Sequence, residues 1–274
     1  MRNTRTQFDL RPNIGNAAKL KSLLRYALLL PWCVFMLTMI TIAALVRPNT
    51  DLYYKLARWW ILGGLWIGGV RTVTYGAEKL DAGKHYVVMA NHRSHYDCFA
   101  IPRAVFHIET RWVGKRELAK IPIFGTAIRV SGQILINRGN RAEAIEELRR
   151  SMGRRGCTVV FFPEGTRAPD TRLLPFKKGA AAFAIEAGLP IVPIAVSGTE
   201  KVLPRQSLTL VPATVHVMIG DPIDVSGMTP ADRGPLTERA REEVERMLAL
   251  MEPRPEADEA AASASEREFA ALGI

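Results

Sequence analysis

The sequence predicts an α/β fold: a largely parallel central sheet flanked by helices, preceded by an N-terminal membrane-embedded helical segment. Three observations predict it. From about Arg71 onward, short runs rich in β-branched and aromatic residues alternate with helical stretches, the pattern of a parallel sheet with helices on its faces. The apolar run Val87–Ala90 passes directly into Asn91, His92, Arg93, Ser94, His95, Tyr96 and Asp97, as when a buried strand delivers polar groups to a sheet end. Residues Tyr26 to Val46 carry no charge at all.

These features divide the chain into four parts. Residues 1–25 are polar and basic, with Arg2, Arg5, Arg11, Lys19, Lys21 and Arg25. Residues 26–70 form a membrane-anchoring helical hairpin. Its first limb, Tyr26–Val46, contains Leu28, Leu29, Leu30, Trp32, Phe35 and Ile40, and about 20 such residues suffice to cross a hydrocarbon core. A cleavable signal peptide is the competing reading, disfavoured by the length of the apolar run and by the lack of a small-residue cleavage site. The second limb, Trp59–Val70, is short and carries Trp59, Trp60 and Trp66 after Lys55 and Arg58, which suits a helix at the headgroup level; a plain buried core helix is the alternative. A single full crossing from a cytoplasmic start would put the α/β part outside, so either the second run brings the chain back or both runs form a hairpin within one leaflet, and the hairpin is favoured. Residues 71–252 hold the α/β domain, and residues 253–274, rich in Ala, Ser and Glu, form a flexible tail.

Within 71–252 the strand candidates are Thr72–Tyr75, His85–Ala90, Thr110–Val113, Gln133–Ile136, Thr158–Phe162, Ile191–Val196 and Val215–Ile219. Thr209–Asp224 as a whole reads as strands. Arg141–Met152 is the clearest helix between them, with Ala144, Ile145, Leu148 and Met152 on one face. A further helix is expected over Ala180–Ala187. Leu236–Met251 is amphipathic through Leu236, Ala240, Val244, Met247, Leu248 and Met251, and Pro253 stops it.

A chain of 274 residues with a formal net charge of +10 can bury a large core and calls for an anionic partner, of which lipid headgroups, acyl-thioester carriers and nucleic acid are the candidates. The globular part shows no nucleic-acid motif and no stripe of alternating aromatic and basic residues, so no nucleic-acid partner is expected. Cys33, Cys98 and Cys157 are odd in number and lack metal-ligand spacing, so neither a disulfide framework nor a metal site is expected.

The candidate chemistry lies in the cluster after Val87–Ala90. His92 and Asp97 are five residues apart, and five steps of about 100° on one helix leave them roughly 140° apart, too far to touch. A contact requires His92 in the turn before a helix and Asp97 in its first turn, where the helix dipole favours the carboxylate. Bonded to one imidazole nitrogen, the carboxylate leaves the other free as a general base. Ser94 and Cys98 are nearby nucleophile candidates, but a residue two positions from His92 points elsewhere in most local geometries.

Asn91-His92 with Asp97 matches the H-x4-D signature of the glycerolipid acyltransferase family, and three further blocks follow in that family's order. These are Gly114–Leu118 through Ile121–Gly125 to Ile136–Arg138, then Phe162–Arg167, then Leu189–Ala195. Together they cover roughly residues 75–200, and the chain resembles the bacterial 1-acylglycerol-3-phosphate acyltransferases of that family. The resemblance implies a membrane enzyme at the cytoplasmic face that acylates the 2-hydroxyl of lysophosphatidic acid from acyl-CoA or acyl carrier protein as co-substrate, with no bound cofactor. Relatives that acylate glycerol-3-phosphate or other lysolipids, and an acyl-thioester hydrolase, are the alternatives. His92 and Asp97 are then the catalytic pair. Lys115, Arg138, Glu164, Gly165 and Arg167 bind the substrate phosphate, the cations at strand ends where they would converge. Glu164 could instead pair with Arg167. The resemblance assigns Pro190, Val192 and Pro193 to an acyl-donor pocket, with a core strand the equal alternative. Lys177 and Lys178 are read as solvated, although the family carries a similar Phe-Lys-x-Gly here. His95 and Asn137 depart from the family pattern, which leaves the acceptor less defined than the base.

Overall fold

Two long helices, α1 (Asn16–Val46) and α2 (Leu52–Gly68), lead into an alternating domain. Its elements are β1 (Val70–Tyr75), β2 (Val87–Ala90), α3 (Asp97–Ala104), β3 (Thr110–Lys115), α4 (Phe124–Val130), β4 (Ile134–Ile136), α5 (Arg141–Met152) and β5 (Thr158–Phe161). There follow α6 (Gly179–Ala187), β6 (Ile191–Ser197), α7 (Thr199–Val202), β7 (Ala213–Ile219) and α8 (Arg233–Leu250). The computed structural model describes residues 16–47, 52–137, 139–152, 157–169, 172–205 and 207–251. The basic stretch up to residue 15, Arg138 and the tail 253–274 lie outside the described residues.

All seven expected strands are present and form one sheet in the order β1-β7-β6-β2-β5-β3-β4. Five neighbouring strands, β6, β2, β5, β3 and β4, run parallel. The β6–β7 pairing is antiparallel, and β1 continues parallel to β7. The carboxyl ends of the five parallel strands therefore share one edge, where an open α/β sheet places its ligands. Two local corrections follow. β3 extends through Lys115, so Lys115 is the last strand residue rather than a loop residue. Thr209–Asp224 holds one strand and a single bridge from Ile223 to Ile191, because Pro222 and the loop around it break the ladder.

The sheet is covered on both faces, which explains why its central strands read as unbroken apolar runs. On β2, Val88 and Ala90 join the core beneath α2 and α3, while Val87 and Met89 join the core beneath α6 and α8. Each buried Val or Met among them contributes roughly 1.5–3 kcal/mol. The strand end is thereby fixed on both sides before any polar group is placed.

Among the described residues α1 is the one helix long and apolar enough to cross a membrane, with 31 residues and Pro31 inside it. It begins at Asn16, ahead of the uncharged stretch, and α2 begins at Leu52, ahead of the tryptophans. The two helices pack on each other: Trp32 Nε1 donates to the Trp60 carbonyl at 3.2 Å, and Trp60 Nε1 lies 3.4 Å from Cys33 Sγ. Gly63 sits against the Trp32 indole, where a Cβ would collide with the ring. Both helices also lie along the α/β domain. Ser22 receives the Leu210 N–H at 2.8 Å, Leu37 and Ile40 pack with Ala127 of α4, and Tyr54 and Arg58 bond the carbonyls of Ile108 and Phe106. The outer faces stay exposed and apolar, through Leu20, Leu23, Leu24, Leu28 and Leu30 on α1 and Trp59 and Trp66 on α2. So α2 is both things the sequence left open: a core helix on one face and a tryptophan-bearing surface on the other.

Gly63→Leu should push α1 and α2 apart and cost about 1–3 kcal/mol, the usual range for overpacking. A lowered midpoint in a tryptophan-fluorescence melt of the detergent-solubilised protein checks this, and an unchanged midpoint would mean that Trp32 does not pack there.

Candidate active site

The main chain leaves β2 at Ala90, and the next seven residues turn into α3 at Asp97. Asn91 fixes the start of this turn: its Nδ2 donates to the Val196 carbonyl at 2.9 Å and its Oδ1 accepts the Val196 N–H at 2.8 Å. A buried amide with both ends satisfied by one residue of β6 ties the β2 exit to its neighbouring strand. Asp97 then folds back as the first residue of α3, the geometry that the five-residue spacing required. Its Oδ2 accepts from His92 Nδ1 at 2.7 Å, from the Arg93 N–H at 2.8 Å and from the Ser94 N–H at 2.9 Å. Its Oδ1 accepts from Thr199 Oγ1 at 2.5 Å. The carboxylate is 0% exposed, whereas the His92 side chain keeps 16% of its surface.

A carboxylate can only accept, so the His92 proton sits on Nδ1 and Nε2 presents its lone pair. The ring lies flat on Phe162, with centroids 3.9 Å apart and planes 13° apart, and Phe162 stacks in turn on Trp112. An aromatic face beneath the imidazole holds its plane and tolerates positive charge.

The segment after β5 grips the His92 main chain from both sides. Glu164 Oε1 accepts the His92 N–H at 2.6 Å, and the Ala168 N–H donates to the His92 carbonyl at 2.9 Å. The other Glu164 oxygen accepts the Leu174 N–H at 3.0 Å. Burial pushes the Glu164 carboxyl above the ordinary carboxylate range, and the two backbone bonds pull it back. In the structure Glu164 staples the loop through these two amides, a role beside the two that the sequence left open, a substrate contact and a pair with Arg167. Sequence alone cannot show which buried amides need an acceptor.

The cations expected to converge are placed as follows. Lys115 ends β3, two strands from β2 and so roughly 10 Å across the sheet edge, and its side chain is exposed. Arg167 lies close enough to His95 for its charge to act on that imidazole; burial first, and then the Arg167 and His92 charges, hold His95 below the usual histidine range, against the pull of Asp97. Arg138 lies outside the described residues. Gly165 has a φ of 76°, the left-handed region, and a Cβ there would lie 2.7 Å from Lys177 Nζ. Lys177 therefore stands over this loop and joins Lys115 and Arg167 among the described cations near the edge.

Other expected groups are arranged differently. Val192 is fully buried among Val88, Ile101 and Ile194, and Pro193 is buried against Gly220. With β6 flanked by β2 and β7, this block is a core strand, and Val196 near its end and Thr199 just beyond it bond Asn91 and Asp97. Pro190 precedes the strand, and its carbonyl accepts the Val87 N–H at 3.0 Å. Ser94 is buried and donates to the Leu203 carbonyl at 3.0 Å. Burial and the neighbouring Asp97 charge push the Cys98 thiol up to about 12, so it stays protonated at neutral pH. Asn137 donates to Glu143 at 3.2 Å, and Glu143 pairs with Arg116; an Asp at 137 would repel that carboxylate. Among the described residues no group of three His, Cys, Asp or Glu side chains could hold a metal ion.

Comparison with known proteins places this geometry. The family profile described as Acyltransferase matches residues 71–197, the span from β1 to the end of β6. The chain is 34% identical over 212 residues to the 1-acyl-sn-glycerol-3-phosphate acyltransferase of Haemophilus influenzae, covering 76% of this chain and 86% of that protein. It is 29% identical over 215 residues to the enzyme of the same name from Pseudomonas aeruginosa, covering 76% and 82%. A crystal structure of the 1-acyl-sn-glycerophosphate acyltransferase of Thermotoga maritima superposes with a TM-score of 0.73 at 25% identity, covering 86% of this chain and 98% of that one.

Glu164→Ala should leave the His92 and Leu174 amides buried without an acceptor, at about 1–3 kcal/mol each. Glu164→Gln should recover part of this, because it keeps one acceptor oxygen while turning its NH2 toward the other amide. Thermal unfolding ranks the three proteins, and equal midpoints would contradict the staple.

Proposed function

Because the chain belongs to the acyltransferase family, we propose that it is a 1-acyl-sn-glycerol-3-phosphate O-acyltransferase, forming phosphatidic acid from lysophosphatidic acid and an acyl thioester. The observation that carries this reading is the free Nε2 of His92, with Nδ1 held by a buried carboxylate at the carboxyl edge of the parallel strands. That is a general base facing outward from a fixed position.

In the proposed reaction Nε2 takes the proton of the 2-hydroxyl as its oxygen attacks the thioester carbonyl. The C–S bond then breaks, and the imidazolium returns the proton to the leaving thiolate of CoA or acyl carrier protein. Asp97 offsets the imidazolium charge during the interval. Transfer is direct, since Ser94 is committed to the Leu203 carbonyl and the Cys98 thiol is held protonated. Lys115, Arg167 and Lys177, with Arg138 expected beside them, supply the positive edge for the phosphate, so that the hydroxyl meets Nε2 with its entropy already lost. The acceptors glycerol-3-phosphate and other lysolipids, and water in a thioester hydrolase, differ from this reading only in what occupies that edge.

For localisation, α1 supports the membrane. Both ends of α1 touch the α/β domain, at Ser22 and at Leu37 and Ile40, and the inner face of α2 lies on α3. Neither helix leaves the domain, which supports a hairpin laid into one leaflet with its exposed leucines and tryptophans. A cytoplasmic face follows from where acyl thioesters are made.

His92→Ala should lower kcat by about 10²- to 10⁴-fold, the range for general bases. Arg167→Ala should raise the KM for lysophosphatidic acid at least ~10-fold while leaving that for acyl-CoA within about 2-fold, as expected for loss of a charge-assisted contact to phosphate. Steady-state kinetics on purified proteins measure both. A fully active His92→Ala protein, or an Arg167→Ala protein impaired equally toward both substrates, would overturn these assignments.

A further inference from the structure

We infer that Thr199 is a positioning residue for acyl transfer: its hydroxyl aims the Asp97 carboxylate at His92, an inference that rests on the acyltransferase reading above.

The two oxygens of Asp97 are held unequally. Oδ2 receives three donors from its own loop, His92 Nδ1 and the N–H groups of Arg93 and Ser94. Oδ1 receives one, Thr199 Oγ1 at 2.5 Å, and that donor comes from 102 residues further along the chain, beyond the end of β6. Both side chains are 0% exposed, so water does not replace the hydroxyl when it is removed. The torsion that turns a carboxylate about its Cβ–Cγ bond is broad and offers little resistance of its own. Donors on Oδ2 alone leave the plane of the group free to rock. A donor on Oδ1 fixes that plane, and with it the direction in which Oδ2 faces Nδ1.

The chain is shaped to put the hydroxyl there. β6 ends at Ser197, and Gly198, with φ 97°, turns it; a Cβ at 198 would collide with the Thr214 carbonyl. Thr199 follows as the first residue of α7. The same short segment holds the His92–Asp97 loop at further points. Val196 binds Asn91, the Leu203 carbonyl takes the Ser94 hydroxyl, and Glu200 lies 3.8 Å from Arg93 while also accepting the Gly198 N–H. Thr199 is the member of this set that reaches the carboxylate itself. The strand block that the family resemblance assigned to donor binding thus ends in a support for the base.

Thr199→Val keeps the shape and removes the hydroxyl, and Thr199→Ser keeps the hydroxyl. With lysophosphatidic acid and acyl-CoA as substrates, Thr199→Val should lose roughly 10- to 100-fold in kcat, the loss expected for a hydrogen bond to a charged group. KM for both substrates should stay within about 2-fold, and Thr199→Ser should stay near the wild type on both counts. The downfield proton resonance of His92 Nδ1–H, identified by its absence from His92→Ala, should shift in Thr199→Val and hold in Thr199→Ser. It is read in the solubilised protein without substrate, so it decides the inference even if the natural acceptor proves to be another lipid. A wild-type-like resonance and kcat in Thr199→Val overturn the inference, as does equal damage in both variants, which would assign Thr199 to packing alone.

Discussion

A carboxylate cut off from water has to be surrounded by donors, and the Asp97 carboxylate is surrounded by four. A buried charge of this kind is stabilised only when paired and hydrogen-bonded, so each donor must arrive at its place for the site to exist. Three come from the loop that leaves β2 and one from the turn after β6. The bonds between Asn91 and Val196 lock those two strand ends together, and the Glu164 staple fastens the same loop to the segment after β5. The position of His92 is in this sense a property of three adjacent parallel strands.

The edge built around this pair has an apolar flank and a basic flank. The α1–α2 hairpin packs against α3 and α4, and its exposed side is leucine and tryptophan. Lys115, Arg167 and Lys177 stand toward the β5–β3 side of the sheet edge. A lysolipid has the same division, with an acyl chain at one end and a phosphate at the other, and its free hydroxyl lies between them. On the proposed reading the apolar flank would meet the acyl chain and the basic flank the phosphate.

Much of this was legible in the sequence because it rests on local pattern. The strands announce themselves as β-branched runs, and the spacing of His92 and Asp97 allows only one arrangement in which they touch. Direction within the sheet was less legible: the connection from β6 to β7 is long enough for either sense, and only the structure shows the antiparallel pairing. The contacts of Glu164 and Thr199 were not legible, because each bonds a partner tens of residues away. Glu164 stands beside Arg167 in the sequence but bonds the amides of His92 and Leu174. Thr199 follows an apolar strand and looks like a helix start. Lys177 is exposed, as a lysine near a helix start is expected to be, and its nearness to Gly165 is visible only in the structure.

The most direct test of direct acyl transfer is thiol release from acyl-CoA, or from an acyl carrier protein, by the detergent-purified protein with and without lysophosphatidic acid. Release that requires the lysolipid, with phosphatidic acid formed in equal amount, is the expected result. Release at the same rate without any acceptor would make the protein a thioester hydrolase and contradict the transferase reading.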